Sequence, residues 1–163
     1  GSYYLTNSTY MPTGWSSIID NTNWKYGAIY IVAGYTSYET FKMEKTTNNN
    51  AGYITAKVGL ISPSDYSYVL EENVPCGSQT YSSFCKSSWL HLSTNDSSAP
   101  YANEWTMFPR NEVGYAWFIQ SDGLLRGTLN LNYALSVRPV FYLTNDQVIA
   151  SGTGTLTDPY ILQ

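Results

Sequence analysis

Several short stretches of this chain read as β-strands, either because apolar and polar residues alternate with a period of two, as in 52–61, or because a β-branched and aromatic run is bounded by glycine, as in 27–34. They predict strands at residues 27–34, 52–61, 104–108, 115–120, 124–131, 137–143 and 160–162. Between two of these strands, Ser121-Asp122-Gly123 predicts a hairpin turn in which Gly123 takes a positive φ. Pro139 favours an edge position or an irregular start for its strand, because proline cannot donate a hydrogen bond to the ladder.

One helix start is well marked in the sequence. Ser62 can cap a helix, Pro63 suits the first helical position, and Asp65 stands where the acid of a capping box would. The helix is predicted over residues 63–71, and a second short helix or turn over residues 80–86. The first fifty residues are otherwise predicted to be strand-like pieces. Early helices followed by a hairpin-rich second half indicate the α+β class, with antiparallel strands and one or two short helices.

The predicted hairpin at residues 115–131 has two distinct faces. Trp117 and Ile119 are expected to point inward, and Phe118 and Gln120 outward. The inward set on the returning strand is apolar and consists of Leu125, Leu129 and Leu131. The outward set is polar and consists of Arg126, Thr128, Asn130 and Asn132. The alternation therefore predicts a hairpin that displays one polar face to solvent.

Length, composition and charge exclude several classes of protein. The 163 residues suit one domain, and Gly1-Ser2 resembles a cloning remnant, which leaves open whether a signal or anchor preceded residues 3–163. The net charge is −4 with no Lys/Arg cluster, which argues against nucleic-acid binding because phosphate neutralisation supplies most of that affinity. No apolar run is long enough to span a membrane. An aromatic content of 16% argues against disorder.

The aromatic residues are more numerous than one core of this size can hide. The chain has five Trp and sixteen Tyr. We expect the Trp side chains to be core, whereas the exposed Tyr side chains of the second half suit either a binding face or ordinary surface. Tyrosine favours binding because it combines an apolar ring with a hydroxyl at little cost in side-chain entropy.

Cys76 and Cys85 have eight residues between them, which suits a small disulfide loop in an oxidising compartment. Two free thiols remain an alternative, and this spacing matches no metal site. The single histidine, His91, is flanked by apolar residues and is predicted to be a core or boundary residue. The spacing of the two cysteines therefore favours an extracellular placement.

Signatures of catalysis are scarce. The nucleotide-binding, zinc-protease and nucleophile-elbow motifs are missing from the sequence. Glycoside hydrolysis needs two carboxylates across a cleft, and Glu104 and Glu112 are an available but unspecific pair. We predict a protein that is not an enzyme and needs neither a cofactor nor a metal ion.

Three stretches form an ordered series of motifs. They are AKVGLISPSDY (residues 56–66), EWTMFPR (residues 104–110), and AWFIQSDG followed by VRPVFYL (residues 116–143). The series resembles a family of secreted and surface modules of Gram-positive gut bacteria and their phages. In that family V-G-L-x-x-x-S-D-Y precedes Cys…Cys…Trp-Leu, then W-T-x-x-P-R, S-D-G and V-R-P. Residues 151–160 also look like that family's ending, and the match covers residues 54–163.

The resemblance implies a C-type-lectin-like fold, similar in architecture to formylglycine-generating enzymes and to the variable proteins of diversity-generating retroelements. It implies that the terminal strands pair, that two helices flank the sheet, and that residues 3–53 add N-terminal strands or an extension to a core at 54–163. Val137-Arg138-Pro139 would be a scaffold strand with Arg138 as a buried or half-buried hydrogen-bond hub. The sugar-lectin motifs E-P-N, Q-P-D and W-N-D do not occur, and both cysteines come early, so neither a calcium-bridged sugar site nor oxidase activity is expected.

The sequence thus predicts a recognition module at the cell, extracellular or virion surface that binds a protein or glycan ligand. The candidate ligand-binding residues are Asn111, Glu112, Tyr115, Phe118, Gln120, Arg126, Thr128, Asn130, Asn132 and Tyr133. Asn and Tyr are frequent among these residues, as in the variable stretch of retroelement-diversified proteins, and diversification is therefore a hypothesis. Two alternatives are a carbohydrate-binding β-sandwich, which would lack the helix at 63–71, and a pilus-like or stalk subunit that self-associates.

Overall fold

The computed structural model describes residues 14–31, 35–46, 51–68, 103–155 and 157–163. The helices in these residues are α1 (Trp15–Ile18), α2 (Ser37–Thr46) and α3 (Pro63–Tyr68). The strands are β1 (Thr22–Tyr26), β2 (Gly52–Ala56), β3 (Gly59–Leu60), β4 (Glu104–Pro109), β5 (Tyr115–Ile119), β6 (Leu125–Asn130), β7 (Ser136–Val137), β8 (Pro139–Val140), β9 (Ile149–Ser151) and β10 (Ile161–Leu162). The chain is therefore α+β with short helices and mainly antiparallel strands, as predicted.

A four-stranded sheet forms the centre of the described fold. Its strand order is β6-β5-β4-β7, with β5 antiparallel to both neighbours and β7 parallel to β4. Three two-stranded antiparallel sheets surround it: β1–β2, β3–β8 and β9–β10. The predicted strands at 104–108, 115–120, 124–131 and 160–162 are confirmed within one or two residues, and Gly123 has the predicted positive φ of 81°.

The core lies mainly on one face of this sheet, in two apolar clusters. One cluster joins Ile119 and Leu125 to Ile61 and Tyr66, and the other joins Phe108 and Trp117 to Ile29 and Ile31. Residues alternate between buried and half-buried along β4, whereas 116–119 of β5 are all buried. A strand that is buried on both faces reads as a continuous apolar run, and AWFI at residues 116–119 is such a run.

The motifs that carry the family resemblance meet in space. The Ser62 hydroxyl accepts a hydrogen bond from the Asp65 N–H at 3.1 Å, which is the predicted cap of α3. On that helix the fully buried Tyr66 donates its hydroxyl proton to the Gly123 carbonyl at 2.9 Å. Beside Tyr66, Arg138 is paired with Glu104 at 2.8 Å. We call Tyr66, Glu104, Gly123 and Arg138 the motif junction; it is a packing centre that joins α3, β4 and the β5–β6 turn.

Helix α2 corrects the prediction that the first fifty residues are strand-like. The helix begins with a capping box in which the Glu39 carboxylate accepts from the Thr36 N–H at 2.8 Å and the Thr36 hydroxyl accepts from the Glu39 N–H at 3.2 Å. On its buried side, the Glu44 carboxylate accepts from the backbone N–H of Ser64 at 2.8 Å and also bonds the Ser64 hydroxyl. Helix α2 is thus held against the first turn of α3.

Two predicted strands are in fact divided between sheets. The stretch 52–61 becomes β2 and β3, because β2 pairs with β1 whereas β3 pairs with β8. The stretch 137–143 is similarly split at Arg138, where the chain leaves β4 and joins β3. Pro139 lies directly after that switch, consistent with the irregular start predicted for it. The predicted strand at 27–34 is wrong for its described part, where Ile29 and Ile31 are buried but Ile29 makes only an isolated bridge to Arg110.

The prediction that the terminal strands pair is not tested, because residues 1–13 lie outside the described residues. Strand β10 pairs with β9. The early segment reaches the late one through a bridge between Ile19 and Leu143, flanked by a hydrogen bond from the Asp20 N–H to the Tyr142 carbonyl at 2.9 Å. These contacts fix the early segment against the β8–β9 connection.

A β-bulge in β6 overturns the single alternation predicted for the hairpin. Ala116 lies opposite Leu129, but Phe118 lies opposite Arg126, so β6 contains one residue more than β5 over this interval. The extra residue reverses the parity, which places Leu129 on the same face as Arg126. Asn130 correspondingly shares a face with Leu125. The prediction that Leu125, Leu129 and Leu131 all pack inward holds only for Leu125, since Leu129 is half-buried and Leu131 is exposed.

Phe118 was predicted to face solvent, and this is wrong. Its side chain is buried and its ring meets the Trp105 ring edge to face at a centroid distance of 6.0 Å. Gln120 is half-buried rather than outward-facing. The physical reason is that β5 is an inner strand whose second face is also covered, so alternation along it carries no inside-or-outside information.

Candidate functional site

Most of the predicted ligand-binding residues gather at one end of the central sheet. They surround the turn between β4 and β5 and the turn after β6, and they are Asn111, Glu112, Tyr115, Thr128, Asn130, Asn132 and Tyr133. Gln120 and Arg126 lie toward the opposite end of the hairpin, and Phe118 is in the core. The structure therefore brings together seven of the ten predicted residues and separates three.

The two turns lie side by side and form what we call the turn face, residues 111–115 and 128–133. The Leu131 N–H donates to the Gly114 carbonyl at 2.9 Å and joins them directly. Gly114 has a φ of 86°, and a Cβ on it would stand 3.4 Å from the Asn130 amide nitrogen. The left-handed backbone therefore favours glycine at this position, whereas a Cβ at 3.4 Å would make only an ordinary contact with the second turn.

Internal hydrogen bonds hold both turns. In the first, the Arg110 N–H donates to the Tyr115 carbonyl at 2.9 Å and closes the loop. In the second, the Asn130 side-chain oxygen accepts from the Asn132 N–H at 3.0 Å, and the Asn130 carbonyl accepts from the Tyr133 N–H at 3.1 Å. This is an Asx-turn, in which the asparagine side chain takes the place of a backbone group. A ligand would therefore meet a preformed surface.

The tip of the turn face is apolar. Val113 is 98% exposed, Tyr133 is 59% exposed and Leu131 is 55% exposed. Sequence reasoning missed Val113 and assigned Leu131 to the core. The signal for Val113 was its place between Glu112 and Gly114, where a tight turn projects the side chain outward. Single exposed apolar residues are common, but here three lie on two turns that a backbone hydrogen bond joins.

Arg110 fixes the turn face to the sheet. Its guanidinium donates to the Gly127 carbonyl at 3.0 Å and lies 3.3 Å from the Glu112 carboxylate. Gly127 is the buried residue of the bulge, and a Cβ there would stand 3.1 Å from the Arg110 side chain and 3.4 Å from the Trp117 ring. Arg110, the last residue of the W-T-x-x-P-R motif, was not among the predicted site residues.

At the opposite end of the hairpin, Arg126 has a structural role. It lies 3.5 Å from Asp122, whose other side-chain oxygen accepts from the Leu124 N–H at 3.0 Å. Gln120 closes the same turn, since its N–H donates to the Leu124 carbonyl at 2.8 Å and its carbonyl accepts from the Gly123 N–H at 2.8 Å. These contacts stabilise the turn, which leaves Gln120 and Arg126 outside the turn face.

Glu104 and Glu112 do not form a catalytic pair. Glu104 is the first residue of β4 and is buried in the motif junction, whereas Glu112 is exposed beyond the other end of that strand. Burial raises the pKa of Glu104, and the adjacent Arg138 opposes that shift. Arg138 itself is half-buried, as the resemblance implies. The Glu104–Arg138 pair joins the start of β4 to the residue between β7 and β8, whereas Glu112 is paired with Arg110.

Several predicted features are not tested by the described residues. Cys76, Cys85 and His91, and the predicted helix at 80–86, lie outside the described residues. Within the described ranges, no three His, Cys, Asp or Glu side chains are grouped so that they could hold a metal ion. None of the helices in the same ranges is long and apolar enough to cross a membrane.

Comparison with known proteins returns no relative: no family, no curated protein and no solved structure matches the chain.

Proposed function

We propose that this protein is a non-enzymatic recognition module that binds its ligand through the turn face. The observation that carries the proposal is the joined pair of turns, whose apolar tip of Val113, Leu131 and Tyr133 is surrounded by exposed polar side chains. Tyrosine is a frequent source of binding energy at protein surfaces, and a rim of polar groups adds specificity.

The shape of the turn face favours a protein ligand over a free sugar. Small-molecule sites are concave and enclose most of the ligand. The turn face projects from the end of a sheet, and Val113 is almost completely in solvent. Such a projection suits a groove on a partner protein, where the apolar tip loses its contact with water. A glycan remains the second candidate, supported by the exposed amide of Asn132 next to Tyr133 in the second turn.

Preorganisation supports the same function. The turns are closed by their own hydrogen bonds and fixed to the bulge by Arg110. Binding therefore orders few additional groups, and less of the contact free energy is lost to conformational entropy.

The proposal also includes a C-type-lectin-like scaffold, an extracellular or virion-surface placement and diversification by a retroelement. This part of the proposal is supported by the ordered series of motifs and by the contacts that residues of these motifs make at the motif junction. The helices α2 and α3 count against an all-β sandwich.

Binding to an array of glycans and cell-surface proteins tests the proposal. Wild type is compared with the single variants Val113→Ser and Tyr133→Ala and with Tyr160→Ala, a matched control because Tyr160 is 55% exposed but lies beside β10. We expect each turn-face variant to weaken retention by roughly tenfold or more, as for hot-spot residues elsewhere, and the control to leave it unchanged. Binding that neither variant alters, or an array that retains nothing, overturns the proposal.

A further inference from the structure

Among the described residues, nothing gives the outer edge of strand β2 the usual protection against strand pairing. In the described part of the chain its sheet has two strands, and β1 occupies one side of β2 through five regular pairs from Thr22–Ala56 to Tyr26–Gly52. The strand has the sequence Gly-Tyr-Ile-Thr-Ala, with no charge and no proline. Natural proteins blunt exposed edges with charge, proline, bulges or very short strands.

The other edges of the described sheets differ from β2 in this respect. Strand β1 carries Lys25 and β6 is broken by its bulge, whereas β3, β7, β8, β9 and β10 contain only two or three residues each. Along β2, by contrast, the three central residues Tyr53, Ile54 and Thr55 are all exposed, although they are aromatic or β-branched. Such residues gain most from pairing with a neighbouring strand.

We infer that the outer edge of β2 pairs with the β2 edge of a second copy of this chain. Antiparallel pairing about a two-fold axis overlaps the whole strand when it is centred on Ile54. It then places Tyr53 opposite the copy's Thr55 and the two Ile54 side chains opposite each other. Aromatic and β-branched cross-strand pairs are favourable, and no like charges face each other.

The sequence of β2, which is complementary to itself when centred on Ile54, selects a second copy as the occupant, and three further observations agree with it. A two-stranded sheet is marginal alone, and self-pairing converts two of them into one four-stranded sheet. The chain carries a net charge of −4, so copies meet most easily through an uncharged strand. Ile54 is 58% exposed and lines an apolar groove of about 400 Å³ together with Trp24, Val58 and Met107. In the dimer, the Ile54 side chain of the copy would cover part of this groove.

The two-fold pairing makes a closed dimer. Each β2 edge is used once and the contact is isologous, so assembly stops at two copies and does not continue into a filament. This inference is independent of the turn face, which lies at the end of the central sheet. A dimer would carry two turn faces and would gain avidity for a ligand that is presented in several copies.

Sedimentation velocity of the full chain from micromolar to millimolar concentration tests the dimer. One strand pair makes a small interface, so we expect a reversible monomer–dimer equilibrium of modest affinity. The variant Ile54→Lys should weaken dimerisation at least tenfold. Ile161→Lys is the matched control, because Ile161 is also 58% exposed but lies on the two-residue β10. Circular dichroism confirms that both variants fold.

Cross-linking locates the axis independently. In Ile54→Cys the new thiols of two copies face each other, and opposite residues in an antiparallel pair lie within disulfide range. Mild oxidation should give a 54–54 linked peptide by mass spectrometry, whereas Ile161→Cys should give no corresponding 161–161 peptide. A chain that is monomeric at all concentrations, a dimer that Ile54→Lys leaves intact, or an assembly larger than two overturns the inference.

Discussion

The pair of Glu104 and Arg138 illustrates how a buried charge depends on its partner. Glu104 is 2% exposed, and its Oε2 receives the Arg138 guanidinium at 2.8 Å. Replacing Arg138 with methionine leaves the carboxylate buried without its counter-charge, so we expect Arg138→Met to lower the free energy of unfolding by about 3–5 kcal/mol. Urea denaturation measures the loss.

The double variant Glu104→Gln/Arg138→Met separates the charge from the packing. It removes the uncompensated carboxylate, and we expect it to recover a large part of the loss. Glu112→Gln is the control, because the exposed Arg110–Glu112 pair is worth about 1 kcal/mol at most. If Arg138→Met costs no more than Glu112→Gln, the Glu104–Arg138 pair does not stabilise the fold.

The sequence predicted a half-buried Arg138 but not its partner. Glu104 is 34 residues away and was considered as a catalytic acid. The two meet because β4 and β7 pair in parallel, with Glu104 opposite Ser136. Parallel pairing between distant short strands leaves no mark in local alternation. The family resemblance therefore implied a buried or half-buried arginine, whereas neither it nor the local pattern specified the contact with Glu104.

At the scale of elements, the β6 bulge makes a prediction that opposes simple alternation. Leu125 precedes the bulge and is fully buried, whereas Leu131 lies in the turn that follows β6 and is exposed. Leu125→Ala should cost about 2–5 kcal/mol of unfolding free energy, as for other buried leucines. Leu131→Ala should change it by about 0.5 kcal/mol or less. If urea denaturation shows equal losses of unfolding free energy for the two variants, Leu131 packs inward as simple alternation predicts and the bulge is contradicted.

Strands with local signals were predicted well, and elements that depend on distant partners were not. The turn at Gly123 and the cap at Ser62 are local and were found. Helix α2 was missed although Thr36 and Glu39 form a capping box, because the residues after it show only a weak apolar stripe and two of its buried side chains, Thr40 and Glu44, are polar. The division of 52–61 into two strands depends on β1 and β8, which no local pattern specifies.

For the whole molecule, two buried carboxyl groups predict that stability falls as the pH rises toward neutrality. Burial raises the pKa of Glu44 from its ordinary value of 4.5 to about 7, against the hydrogen bonds from Ser64 that lower it. Burial also raises the pKa of Glu104. Each group binds its proton more tightly in the folded chain than in the unfolded one. The folded state is therefore favoured at low pH, and that advantage is lost between about pH 4.5 and about pH 7.

The variant Glu44→Gln assigns part of this dependence to one residue. Glutamine cannot ionise but can still accept a hydrogen bond from the Ser64 N–H. Between about pH 5 and about pH 8, the unfolding free energy of the variant should therefore decrease by about 1–3 kcal/mol less than that of the wild type. The control Glu39→Gln lies on the same helix, where hydrogen bonds from Thr36 lower the pKa of an exposed carboxyl. That carboxyl stabilises the fold above its ordinary pKa of 4.5 and loses the effect only as the pH falls below that value, so removing it leaves the shape of the profile between about pH 5 and about pH 8 unchanged. Urea denaturation across this range decides the matter: if wild type and Glu44→Gln show the same pH profile, the Glu44 carboxyl does not couple α2 and α3 to proton binding.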